Sequence, residues 1–128
     1  MRFLIALLLM AAPAMAQDCA GTTQTELNIC ASDSYVAADK ALNAAYQDIA
    51  GRLAGDANIR AKLVASERAW IAYRDAQCEF AASGVGGGSV APMIVIQCRT
   101  TLTAQRQAEL ATYLVCKDGD LSCPVPAK

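Results

Sequence analysis

The chain has no histidine in its 128 residues. Without an imidazole there is no base for serine- or cysteine-type hydrolysis, and most zinc sites lose their nitrogen ligand. Basic residues are not in excess either: eleven Lys and Arg stand against twelve Asp and Glu. That balance argues against nucleic-acid binding. Long apolar runs are also missing. The one candidate, within MRFLIALLLMAAPAMA, is about ten residues, well short of the ~20 that a spanning helix needs. β-Branched runs are scarce, which leaves little to build a sheet from.

What is present starts with that opening segment. One Arg, a short apolar core and the Ala14-Met15-Ala16 pattern read as a signal peptide over residues 1–16, cleaved before Gln17. Cys19 follows Ala16-Gln17-Asp18, not the small apolar residues expected before a lipidated cysteine. No membrane anchor is therefore expected after cleavage, and the protein should be periplasmic or secreted. Residues 17–128 are one small domain's worth of chain. Loss of Arg2 leaves a mildly acidic surface, compatible with a basic protein partner without demanding one.

Six cysteines, Cys19, Cys30, Cys78, Cys98, Cys116 and Cys123, all fall in the mature chain. In an exported protein an even count reads as three disulfides and not as metal ligands. No metal site and no cofactor is expected.

The apolar spacing is helical nearly throughout. Thr23 with Glu26 three residues on forms a capping-box pattern that opens a first helix. Tyr35, Leu42 and Ile49 recur every seven residues along it, and Gly55 ends it. Asp56 or Asn58 can cap a second helix over about residues 59–80. The glycine-rich stretch SGVGGGSVAP breaks it, and Pro92 suits the first turn of a third helix that runs to about Tyr113. The tail KDGDLSCPVPAK reads as loop. The expected fold is all-α, a small disulfide-stapled bundle of about three antiparallel helices over residues 17–115, with a disulfide-closed tail over 116–128.

Six cysteines allow fifteen pairings in principle. The layout prefers Cys78 with Cys98 across the glycine loop and Cys116 with Cys123 within the tail. Cys19 and Cys30 are then left to tie the lead-in to the first helix.

The segment SERAWIAYRDAQCEF places Glu67, Trp70, Arg74 and Cys78 on one helical stripe. Glu67 and Arg74 are ~10 Å apart along the axis, too far to pair. If both point inward, each needs a partner from another helix, because an unpaired buried charge is very costly. A Glu67–Arg106 pair and an Asp39–Arg74 pair, with Asn43 one turn beyond Asp39, would satisfy all four charges as a structural polar core. The rival reading makes Glu67 half of a catalytic carboxylate pair. That chemistry needs two carboxyls about 5–9.5 Å apart across a cleft. Asp75 does not share Glu67's face, and a small bundle offers little concave surface. No catalytic residue is assigned, and no enzyme is expected.

The glycine stretch lacks the preceding strand and following lysine of a phosphate-binding loop. Composition alone favours a plain turn. The sharper alternative is a stapled edge, Gly87, Gly88 and Ser89, presented to a protein partner. Tyr35, Tyr46, Tyr73 and Trp70 could form an aromatic binding patch, but their helical spacing argues for core.

Several of these pieces together resemble a known family. They are Cys19…Thr23-Gln24…Leu27-Asn28-x-Cys30, then Ala38-Asp39-x-x-Leu42-Asn43-x-x-Tyr46. Glu67-Arg68-x-Trp70-x-x-Tyr73-Arg74-Asp75-x-x-Cys78, the Gly87-Gly88-Ser89 loop and Cys98-x4-Thr103-x-x-Arg106-x-x-x-Leu110 complete the pattern. The chain is similar here to the lysozyme inhibitor LprI-like N-terminal domain family, from Cys19 to about Leu110. The resemblance implies a small exported helical domain, stapled by disulfides, that inhibits lysozyme and so protects peptidoglycan. It supplies no inhibitory residues, and Cys116 and Cys123 lie outside it. The alternative is a non-inhibitory cell-envelope module that docks onto another protein.

Overall fold

The computed structural model describes residues 19–128; the signal-peptide reading of residues 1–16 lies outside them. Three helices make up the fold, with no strand among the described residues: α1 Gln24–Arg52, α2 Ala57–Ala82 and α3 Ala91–Tyr113. A short 3-10 turn, Ser83–Val85, follows α2.

Each helix begins where a side chain can serve its free N–H groups, or where none is needed. At α1 the Thr23 hydroxyl accepts from the Glu26 N–H at 3.2 Å, while Glu26 Oε2 accepts from the Thr23 and Thr22 N–H groups, both at 2.9 Å. At α2 the Asp56 carboxylate accepts from the Ile59 N–H at 2.9 Å. That cap starts the helix two residues earlier than the sequence pattern suggested. α3 has no side-chain cap, and Pro92 sits in its first turn.

The topology is up-down-up. Gln24 Nε2 approaches Met93 Sδ at one end, and Arg52 Nη1 donates to the Leu114 carbonyl at the other, so α1 and α3 run parallel. α2 runs against both. α3 is the central helix, packed along α1 and along α2, whereas α1 and α2 keep their backbones apart and meet through long side chains.

Large apolar side chains concentrate at the end of the bundle where α1 turns into α2. Leu42, Ala45, Ile49, Leu53 and Leu110 form one buried cluster, joined by Val125 from the tail. Tyr46, Ile59, Leu63, Trp70 and Leu114 pack around it. The tail is therefore docked: Val125 is buried, and Lys128 Nζ reaches Asp48 at 3.4 Å. At the opposite end the buried residues are small, namely Ala31, Cys78 and Ala82. Two disulfides hold that end, Cys19–Cys30 and Cys78–Cys98, and Cys116–Cys123 closes the tail loop.

Candidate functional site

Two groups of residues could carry function: the polar stripe of α2 and the loop between α2 and α3. On the stripe, Arg106 Nε donates to Glu67 Oε2 at 3.1 Å, with both side chains nearly buried. Its other nitrogens donate to Ser66 Oγ at 3.0 Å and Glu109 Oε2 at 3.2 Å. The Trp70 ring lies between two guanidinium groups, Arg74 at 5.1 Å and Arg106 at 5.9 Å from its centroid. The ring is thus shared by Arg106 of the Glu67–Arg106 pair and by Arg74, one turn further along α2.

The expected Asp39–Arg74 pair does not form. Arg74, 8% exposed, donates to its neighbour Asp75 at 2.9 Å and lies over the Tyr35 ring at 5.7 Å. Asp39 instead accepts from Asn43 Nδ2 at 3.0 Å within α1. The reason is the spacing of the helices. With the α1 and α2 backbones held apart, a short aspartate cannot span the gap that the tyrosine ring fills. Asn43 is exposed and does not belong to the buried polar core. Asp75 also meets Arg99 of α3 at 3.2 Å, and Arg99 reaches Glu79 at 3.8 Å. The charges thus alternate along the α2–α3 seam and neutralise one another.

Glu67 is engaged by Arg106, and it lines neither the groove beside the glycine loop nor the pocket under the tail loop.

The glycine loop is a defined structure, not a slack connector. Gly86 and Gly87 adopt left-handed backbone angles, φ 56° and 78°, which a residue with a Cβ takes only at a cost. The Gly88 N–H donates to the Val85 carbonyl at 3.2 Å, and the Ala91 N–H to the Gly88 carbonyl at 2.9 Å. From α1, Asn28 Nδ2 reaches the Ser89 carbonyl at 3.4 Å. The Cys78–Cys98 bond closes the base. Gly87, Gly88 and Ser89 are exposed at the end of the bundle. A groove of about 720 Å³ runs beside them, walled by Glu79, Ala82, Ala91, Val95, Ile96 and Arg99.

Sequence reasoning missed Asn28 as an anchor of this loop. Its signal was only an amide one helical turn past Gln24, with no pattern to link it to Ser89. Arg99, in the wall of the groove, is held by Asp75 and Glu79, and Arg68 lies ten residues before Cys78, ~15 Å down the helix.

Residues 15–110 match the lysozyme inhibitor LprI family. The chain belongs to that family. An uncharacterized protein of Rhizobium meliloti (strain 1021) is 41% identical over 120 residues, covering 81% of this chain and 86% of the relative. No solved structure matches the chain. The LprI match spans all three helices up to Leu110, with the Cys19–Cys30 and Cys78–Cys98 bonds and the glycine loop. It ends before the Cys116–Cys123 loop, which is an extension beyond the LprI segment in this chain. Among the described residues no helix is long and apolar enough to cross a membrane.

Proposed function

We propose that this LprI-family chain is an exported inhibitor of lysozyme that presents the Gly87–Ser89 loop to the enzyme's cleft. The observation that carries the reading is the fixed loop. It is closed at its base by Cys78–Cys98, turned by two left-handed glycines and held to α1 by Asn28. Such preorganisation lowers the ordering cost of inserting a loop into a cleft. The acidic net charge supports the same reading, since it would draw the domain toward a basic enzyme over distance, an attraction that salt screens. The polar stripe around Trp70 is then a structural fastening, and the domain performs no catalysis of its own.

The test is cell-wall lysis by several lysozyme types, with and without the purified oxidised domain. Slowing of lysis that Ser89→Arg abolishes, with the fold intact by circular dichroism, supports the proposal. No slowing at about micromolar domain with any lysozyme refutes it.

A second reading, a docking module for another envelope protein, is favoured by one feature. Leu121 is fully exposed at the tip of the Cys116–Cys123 loop, outside the LprI match. A pull-down that recovers an envelope protein through Leu121, and no muramidase, would decide for it.

A further inference from the structure

We infer that the face of the α1–α2 layer opposite α3 is a self-association surface, on which a second copy of this chain packs antiparallel. The inference goes beyond the inhibitor reading and uses none of its residues.

Contacts to α3 fix the orientation of α2: Glu67 meets Arg106, Asp75 meets Arg99, and Cys78 bonds Cys98. About half a turn around the helix lie Ala69, Tyr73, Ala76 and Phe80, spaced four, three and four apart. Tyr73 is 56% exposed and Phe80 74%. On α1 the corresponding outward stripe carries Ile29 and Val36, seven apart, 57% and 63% exposed. Arg74 over Tyr35 sets the level of the two antiparallel helices. Counting from it, Val36 lies beside Tyr73 and Ile29 beside Phe80. Four large apolar side chains therefore share one outer face, where a solitary monomer would scatter them.

The pattern on α2 identifies the occupant. Read backwards, Phe80-Ala76-Tyr73-Ala69 sets a large residue where the forward order has a small one. An antiparallel copy thus places each aromatic over an alanine, Phe80 on Ala69 and Tyr73 on Ala76, in both directions at once. This is the isologous relation that a two-fold dimer requires. The stripe from Ala65 to Ser83 carries no charged side chain. On its flank, pairing about the pattern's centre brings Arg68 to within two residues of level with the second copy's Glu79, so opposite charges meet at the rim. Asp33 lies between Ile29 and Val36 on the α1 stripe and Lys40 one turn beyond, so the apolar centre is the α2 stripe and the α1 side is its mixed, partly charged margin.

The size sets the strength. About 27 Å of α2 in a layer about 20 Å wide is roughly 500 Å², below the ~800 Å² per partner of a standard interface. A reversible dimer with a dissociation constant on the order of micromolar is expected. The Gly87–Ser89 loops project from the ends of the layer and remain open.

The experiment is sedimentation velocity on the oxidised mature domain from about 1 µM to several hundred micromolar. A monomer–dimer transition is expected, weakened at least ~100-fold by Phe80→Glu with helicity and melting unchanged. Ala69→Phe should also weaken it through a clash, and Phe80→Ala through a gap. The double variant Ala69→Phe/Phe80→Ala should recover dimerisation, because exchanging large and small restores the antiparallel match. Monomer at every concentration overturns the inference, including a monomer that binds lipid vesicles through this face. A dimer indifferent to Phe80→Glu, or a double variant no better than the singles, overturns it equally.

Discussion

Replacing Thr103 by valine should stabilise the protein. Thr103 lies on α3 with 0% exposure, and its Oγ1 has no hydrogen-bond partner among the described residues. Two neighbours on the same helix show the usual solution: Thr100 and Thr101 donate to the Ile96 and Gln97 carbonyls one turn back. Thr103 does not, so its hydroxyl bears a desolvation cost of about 1–3 kcal/mol. Valine has nearly the same shape, the same branching at Cβ and a similar helix propensity, so backbone and rotamer terms nearly cancel. What remains is removal of the unpaired hydroxyl and burial of one methyl group, itself worth about 0.8 kcal/mol. A net gain of at least ~1 kcal/mol raises the melting temperature of a domain this size by roughly 3–6 °C. The assay is thermal and urea unfolding of the oxidised domain, followed by far-UV circular dichroism. Thr103→Ser is the control: it keeps the hydroxyl, removes a buried methyl and should lose ~1 kcal/mol. The expected order of stability is valine, wild type, serine. A valine variant that melts below wild type would falsify the reasoning, because the hydroxyl would then be bonded in solution.

Glu67→Gln leaves Arg106 without its buried anion but keeps an acceptor. It should cost about 1–3 kcal/mol in urea unfolding while leaving the proposed slowing of lysozyme, per folded molecule, unchanged. Val125→Ala should cost ~1–2 kcal/mol even with Cys116–Cys123 intact, since the residue belongs to the main apolar cluster; an unchanged melting point would mean the tail is not docked. Acid stability should depend on Glu26. The N–H groups of Thr23 and Thr22 hold its carboxyl below the ordinary glutamate value of 4.5. A carboxylate with a lowered folded pKa contributes stability above its unfolded pKa and loses it as pH falls through the folded one. Glu26→Gln, which keeps the capping box, should therefore trail wild type at neutral pH, with the gap closing below about pH 4.5.

Much of this fold was legible because its signals are local. Thr23 with Glu26 marks a helix start within one turn, and Asp56 does the same for α2. Trp70 and Cys78 share a stripe by periodicity alone, and the Glu67–Arg106 pair follows from two stripes that must face each other. The partner of Arg74 was not legible. Choosing Asp75 over Asp39 depends on the distance between two helices, which no pattern within either helix encodes. Val125 was hidden for another reason: a single valine between two prolines has no period, so its burial is decided by where the tail lands. The anchoring of the loop by Asn28 is equally non-local, one side chain meeting one carbonyl 61 residues away.

The two ends of the bundle are held by different means. Large apolar side chains secure the end with the docked tail, while covalent bonds and small residues secure the end with the glycine loop. Heat and reductant should therefore act on different halves of the molecule. A reducing environment would loosen the loop end first, while the leucine- and isoleucine-rich half keeps most of its packing. The loop's shape thus belongs to the oxidised form, and the thiol–disulfide poise around the chain decides whether that shape persists.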